Sequence, residues 1–415
     1  MTSLEKVEKA LERELCDHCL GRLFAQLGTG MTNRERGKTL RRIYAMFIVE
    51  EDRAEVPEEA DPCKVCFDLF EETEKFAELA AEKLEKYEFE DFLIGSRIDP
   101  EIEENEEKLW ADLNLSSGEA IKSEINREVG KRVQKLLDKE VELERPDIKA
   151  IIDTRFDTID VEISPIFVYG RYKKLSREIP QTKWTCKRCR GKGCEKCGGK
   201  GKMYETSVEE IIGEPLVDMT CGESFTLHGM GREDIDAKML GNGRPFVMEI
   251  KNPSKRKIDL EDFEGEVNVS DKVKIDSLSF TEKEKVVELK QAASVKTYRV
   301  YISIKDGVDR GKFKKVKDEL VGREISQQTP RRVNHRRADK TRKRTIRGLD
   351  IVSMEDEKVV LEITCDAGTY VKEFVHGDES RTEPNLTDLL GTKCEVEKLD
   401  VIKIHHTEGE KDEEV

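Results

Sequence analysis

No stretch of this 415-residue chain approaches the ~18 consecutive apolar residues that a membrane helix needs. The first residues, Met1 to Leu15, lack an apolar core and a cleavage site, so no signal peptide is expected. Histidine is scarce, six in all, and only His18 accompanies a cysteine pair. A nucleobase deaminase needs His-x-Glu ahead of Pro-Cys-x-x-Cys around one zinc. Here Pro62-Cys63-x-x-Cys66 comes first and His406-Thr-Glu408 lies far downstream in an acidic tail, which is the wrong order. A Gly-x-x-x-x-Gly-Lys-Ser/Thr loop is missing too, and with it a P-loop phosphate site. Gly241-Asn-Gly243 opens no such helix. These absences point to a cytoplasmic chain with no membrane partner and no small-molecule cofactor.

Charge is plentiful: 39% of residues are charged and the formal net charge is −15. Residues 51–110 alone hold 22 Asp/Glu against 7 Lys/Arg. The acidity is therefore local, and it does not argue against a nucleic-acid partner. Residues 331–347 reverse the balance with nine Lys/Arg in seventeen positions, from Arg331, Arg332, Arg336 and Arg337 through Lys340, Arg342, Lys343 and Arg344 to Arg347. Like charges so crowded repel one another unless a polyphosphate faces them. The expectation is a loop that orders on RNA, the alternative a solvated one.

In a reducing compartment eleven cysteines suggest metal or free thiols rather than disulfides. Eight form Cys-x-x-Cys pairs: Cys16/Cys19, Cys63/Cys66, Cys186/Cys189 and Cys194/Cys197. Two such turns can close a four-sulfur structural zinc site. The compact cluster at 186–197, with its interleaved glycines, is the stronger signal. The first depends on pairing across more than forty residues, and a redox pair is the competing reading of either. Four-sulfur sites leave no open position, so both are read as structural. Cys221, Cys365 and Cys394 are expected to pack as small hydrophobes.

Helical periodicity marks residues 1–50, with Leu4, Val7, Leu11 and Leu15 on one face and Thr32-Asn-Arg-Glu35 as a capping box. The acidic stretch to about residue 110 and Ser123 to Asp138 also read as helical. Pro146 to Tyr169 reads as two strands. Gly170 to Trp184 interleaves Arg171, Lys173, Lys174, Arg177 and Lys183 with aromatics, as an RNA-touching linker would. Beyond Tyr204, period-two alternation predicts strands at Val267–Phe280, Lys285–Leu289, Lys296–Ile304, Lys358–Cys365 and Cys394–Ile404. The class is α+β with a largely antiparallel mixed sheet.

The most informative segment is Gly231-Arg-Glu-Asp-Ile-Asp-Ala-Lys-Met-Leu-Gly-Asn-Gly-Arg-Pro-Phe246. A carboxylate beside Arg232 should keep its charge more readily, which suits a nucleophile. Taken alone, Gly-Arg-x-Asp is more simply a solvated surface ion pair. The whole string, however, closely resembles the active-site segment of the archaeal and eukaryotic tRNA pseudouridine(54/55) synthases. That family carries a zinc- and THUMP-containing N-terminal half, and the resemblance covers nearly the whole chain.

The resemblance implies an accessory zinc-binding, THUMP-like RNA-binding domain over 1–169. A basic linker with the compact cysteine cluster follows over 170–204, and a pseudouridine synthase domain over 205–415. It implies Asp234 as the catalytic aspartate, acting on the ribose or the uracil ring, with Arg232 holding it ionised. Tyr298 would stack on the target uracil, while Tyr370 of the Gly-Thr-Tyr turn and Leu399 would wall the pocket. The implied substrate is the tRNA T arm at positions 54 and 55, with no cofactor for catalysis and zinc only as structure. The rival class is a non-catalytic zinc-bearing RNA-binding protein.

Overall fold

The structure, a computed structural model, describes residues 3–50, 58–115, 118–307, 310–335 and 338–405. Arg336, Arg337, His406 and Glu408, and the first residues of the acidic stretch, lie outside the described residues. The chain forms two compact units, one of residues 1–164 with 254–256, the other of residues 165–253 and 257–415. No helix among the described residues is long and apolar enough to cross a membrane.

The first unit runs α1 (Ser3–Leu11), α2 (Asp17–Leu23), α3 (Asn33–Glu50), α4 (Thr73–Leu84), β1 (Asp91–Arg97) and α5 (Pro100–Asp112). It continues with α6 (Ile121–Leu137), β2 (Glu140–Val141), β3 (Ile148–Asp153) and β4 (Thr158–Ile163). The capping box forms ahead of α3: Thr32 Oγ1 accepts from the Glu35 N–H at 3.2 Å, and Glu35 Oε2 accepts from the Thr32 N–H at 2.8 Å. Two donors that a helix start leaves unpaired are thereby satisfied. The sheet order is β2-β1-β3-β4, with β1 parallel to β2 and β3, and β3 antiparallel to β4. Alternation turns Phe92 and Ile94 of β1, and Ile148, Ala150 and Ile152 of β3, into one core. Phe76, Ala80 and Leu84 of α4 and Ile125, Val129 and Val133 of α6 complete it. The acidic stretch is thus not helical throughout, because its alternating run Asp91–Arg97 is a strand of this sheet.

The second unit begins with β5 (Ile166–Lys174), α7 (Val208–Thr220), β6 (Ser224–Gly229), β7 (Ala237–Lys251), α8 (Leu260–Val267), β8 (Val273–Thr281) and α9 (Lys283–Gln291). Then come β9 (Lys296–Ile304), α10 (Arg310–Leu320), β10 (Glu324–Gln328), β11 (Thr341–Glu355) and β12 (Lys358–Cys365). It closes with α11 (Val371–His376), β13 (Thr382–Glu383), α12 (Leu386–Leu390) and β14 (Cys394–Ile404). The strands lie in the order β13-β10-β11-β12-β9-β14-β7-β5-β8, with β6 added on β7. Only β14 and β7 run parallel among these pairings, so the sheet is the mixed, largely antiparallel one expected. Separate apolar cores pack on its two halves. The parallel pair lies where the halves meet, and there the site forms.

Several local expectations are corrected. Gly170–Lys174, read as linker, is the end of β5, paired on both edges by β7 and β8. Lys285–Leu289 is helical, inside α9, and Val267 ends α8 rather than opening a strand. Thr341–Arg347, expected as loop, belongs to β11. Gly241-Asn-Gly243 is a bulge inside β7, facing a register jump from Tyr172–Arg244 to Lys174–Met239. Gly241 takes φ +59°, and a Cβ there would lie 1.7 Å from the Ile402 carbonyl oxygen. Only glycine fits. Cys365 and Cys394 are buried as expected, but Cys221 is exposed.

Candidate active site

The segment Met230–Asp236 leaves β6 and enters β7 as a loop held from beneath. Its fourth residue, Glu233, points inward and is buried. There its carboxylate accepts from Arg244 Nε at 2.9 Å and from the Tyr172 hydroxyl at 2.9 Å. Gln181 Nε2 donates to that hydroxyl at 2.8 Å and to the Gly231 carbonyl at 3.0 Å. Arg244 also donates to the Met230 carbonyl at 2.6 Å. The fully buried Lys174 ammonium binds the carbonyls of Ile235, Ile179 and Asp234 at 2.7, 3.0 and 3.2 Å. Among the described residues, none of these buried side chains is left with an unpartnered polar atom, as burial demands. The next outward-facing residue, Asp234, is thereby presented on a rigid base.

Asp234 lines a cavity of about 270 Å³ together with Tyr298, Tyr370, Leu399, Lys296 and Arg332. The structure therefore brings all four expected pocket residues to one place, and Arg232 to its rim. Tyr298 comes from β9, where Lys296 two residues earlier shares its face. Leu399 comes from β14, opposite Ala237 of β7. Tyr370 caps α11 after the Gly368 turn at φ +77°. Its backbone is clamped by Gln327, which accepts from the Tyr370 N–H at 2.9 Å and donates to its carbonyl at 3.0 Å.

The ionic partner of Asp234 differs from the one expected. Arg332 Nη1 sits 3.1 Å from Asp234 Oδ2, and Lys372 Nζ 3.7 Å from the same oxygen. Arg232 instead turns away and lies over the Trp184 ring, 5.5 Å from its centroid. Residues two apart in a loop can diverge, so nearness in sequence does not make charge partners. Lys372 also binds Asp236 at 2.7 Å. Burial opposes the Asp236 charge, but that ammonium outweighs it and holds the carboxyl below its ordinary value. Burial, then repulsion from Arg244, brings the Lys296 ammonium down to about 8. Burial also pushes the Tyr298 phenol above its ordinary value, with Cys365 adding to the rise. Sequence reading missed Arg332, Lys372, Glu233 and Lys296 as site residues. Lys296 and Lys372 each stand two residues from an expected pocket tyrosine, Tyr298 and Tyr370, and that spacing was the available signal.

The basic residues divide by environment. Arg171 donates to the Gly243 carbonyl and also binds that of Asn242. Arg177 ties the Asp236 and Leu399 carbonyls at 2.9 and 3.1 Å and pairs with Asp400 at 2.6 Å. With Lys174 they serve the fold rather than a linker's outer face. Arg331 pairs with Glu379, Lys343 with Glu324 and Arg347 with Asp366, whereas Arg332 is, among the described residues, the basic member of the run that lines the pocket.

Each cysteine tetrad gathers its four sulfurs within 4.8 Å. Cys16 and Cys66 lie 3.6 Å apart, and Cys186–Cys194, Cys189–Cys197 and Cys194–Cys197 are 3.9, 3.8 and 3.7 Å apart. Four thiolates ~2.3 Å from a tetrahedral ion would be spaced by about 3.8 Å, so both sets fit a metal ion. Backbone N–H groups face the sulfurs, Cys16 to Cys63 Sγ at 3.3 Å and Gly201 to Cys197 Sγ at 3.2 Å. The buried Arg22 guanidinium lies 3.6 Å from Cys19 Sγ, offsetting thiolate charge.

This is an α+β chain with a carboxylate pocket where a parallel strand pair joins two halves of a sheet. Sequence comparison names its family. The description "Pus10, C-terminal" matches residues 167–405, and "Pus10 THUMP domain, archaeal" matches residues 76–153. The chain belongs to the Pus10 family, and its N-terminal half holds a THUMP domain. A tRNA pseudouridine synthase Pus10 of Methanopyrus kandleri is 42% identical over 98% of this chain and 100% of its own. One from Halorubrum lacusprofundi is 41% identical over 95% of this chain and 94% of its own. Among solved structures, a Cbf5-Nop10-Gar1 complex overlaps at TM-score 0.31 and 16% identity, over 48% of this chain and 45% of that one. That overlap is too low to add to the sequence match.

Proposed function

We propose that this chain is a tRNA pseudouridine synthase that isomerises the uridines at positions 54 and 55 of the T arm, with Asp234 as its nucleophile. A uridine stacked in a folded arm cannot reach the pocket, so it is flipped out. Asp234 meets it with Arg332 and Lys372 paired to its carboxylate. The bond between uracil N1 and ribose C1′ breaks, the ring turns, and C5 bonds to C1′. The C5 proton leaves and N1 gains one, so atoms balance and no oxidant or reductant takes part. Tyr298 stacks on the ring and lies where the C5 proton departs, while Tyr370 and Leu399 wall the pocket. Arg232 contacts RNA at the rim.

The observation that carries this reading is the convergence of Asp234, Tyr298, Tyr370 and Leu399, drawn from four separate elements, on one cavity. The relatives' name supplies the reaction and the RNA class. Both cysteine tetrads hold zinc as structure, which belongs to folding rather than to the chemistry. The accessory unit with its THUMP domain holds the rest of the tRNA. Incubating unmodified tRNA with the purified protein and mapping pseudouridine tests the proposal. Modification at 54 and 55 supports it, and an unchanged tRNA or a site in another arm refutes the position.

A further inference from the structure

The compact cysteine module reaches the edge of the pocket, and the geometry points to a second role for it. We propose that Trp184, Tyr204 and Arg232 form a stacking subsite for an unpaired RNA base next to the target uridine. This rests on the proposed function above.

Trp184 enters the module two residues before Cys186, and Tyr204 leaves it. The two ends are tied together: the Met203 N–H donates to the Trp184 carbonyl at 2.9 Å, and the Cys186 N–H to the Gly201 carbonyl at 2.8 Å. The four-sulfur knot thus fixes both rings. They meet edge to face, 5.4 Å apart at 82°, and both are half-buried rather than part of a core. The Arg232 guanidinium lies over the indole, 5.5 Å from the ring centroid. Among the described residues it makes no ion pair, so its planar cation is held by the aromatic face alone.

Trp184, Tyr204 and Arg232 line a cavity of about 460 Å³ whose wall also includes Asp234, Arg332 and Lys372. The same three line the catalytic pocket with Arg232, so the two spaces adjoin. Flipping a uridine strips a stacking partner from its neighbours. A neighbouring base needs a flat surface within one nucleotide's reach, and single-stranded RNA is held by aromatic and guanidinium planes. The indole offers that surface once Arg232 swings off its face, and the freed guanidinium counters the phosphate charge. The occupant is therefore a base of the substrate RNA adjoining the target.

The test uses the full-length protein and unmodified tRNA transcripts, intact or with one abasic nucleotide directly 5′ or 3′ of the target. Trp184→Ala should raise KM about five- to hundred-fold, the range base–aromatic stacking confers, with kcat changed much less. Trp184→Phe should restore most of it. One of the two abasic transcripts should cost the wild type a similar factor and cost Trp184→Ala nothing more. Additive losses, or no loss in Trp184→Ala, overturn the proposal. So does a loss that Trp184→Phe leaves unrestored, which marks a structural role. The chain has only two tryptophans, so Trp110→Phe leaves Trp184 as sole reporter. Its emission should quench on an intact transcript and not on the matching abasic one; equal quenching contradicts stacking. Should no transcript gain pseudouridine at all, the proposed function fails, and the quench still decides whether the subsite binds a base.

Discussion

Arg332 Nη1 lies 3.1 Å from Asp234 Oδ2 although 98 residues separate them, and its Nε donates to Glu373 Oε1 at 2.7 Å. One guanidinium from the basic run therefore bridges the pocket carboxylate and a buried glutamate. Arg332→Met should lower kcat about 10²-fold, the scale of removing one preorganised charged donor, with a smaller effect on KM. Arg331→Met, whose residue pairs with Glu379 outside the pocket, should leave kcat within a few-fold. Steady-state kinetics on one tRNA transcript check the contrast, and equal effects of the two changes contradict it.

Glu233 and Arg244 form a buried ion pair beneath the loop. Removing one partner leaves an uncompensated charge, so Glu233→Gln should cost about 3–5 kcal/mol of stability. Glu233→Gln combined with Arg244→Met should recover part of that loss. Denaturant unfolding measures both, and a double variant worse than the sum of the singles argues against the pair as described.

What could be read from the sequence was local. The Thr32–Glu35 box, the alternation in β9, β12 and β14 and the Gly368 turn before Tyr370 are set within a few residues, and all appear in the structure. Neighbour spacing failed where two periods compete. In α9 the buried residues are Val286 and Leu289, three apart, while Val287 is 49% exposed; a period-two reading puts Val287 on the buried face instead. Basic character hid β5 as well, since Arg171 and Lys174 are buried by binding carbonyls far away in sequence. Charge partnership was the least legible part. Arg232 stands two residues before Asp234 in the chain yet meets Trp184, and long-range folding supplies Arg332 in its place.

The tetrads predict a metal count. Elemental analysis should find two zinc ions per chain, and Cys186→Ser with Cys189→Ser should remove one. Thiolate–zinc binding energy is folding energy, so stability should fall along with activity. Freshly purified, reduced protein without zinc contradicts the assignment.

Lys296 predicts a pH dependence of stability. Its folded pKa of about 8 lies below the ~10.4 of an unfolded lysine. Between those values the unfolded chain binds more protons, so unfolding free energy rises with pH across that window. Below pH 8 both states hold the proton, and the cost of burying the ammonium is present in full. Lys296→Met removes that cost, so its stability relative to wild type should be higher at pH 7 than at pH 10. Denaturant titrations at both values check the sign, and a difference independent of pH contradicts it.

The proposed role of Asp234 as nucleophile is tested most directly by its amide. Asp234→Asn should be compared with wild type by mapping pseudouridine in unmodified tRNA, alongside tRNA affinity at one salt concentration. The variant should yield no pseudouridine and keep tRNA affinity within a few-fold of wild type, because the basic surface and fold persist. Measurable turnover by Asp234→Asn contradicts that role and leaves Asp236, the other aspartate of the loop, as the alternative nucleophile.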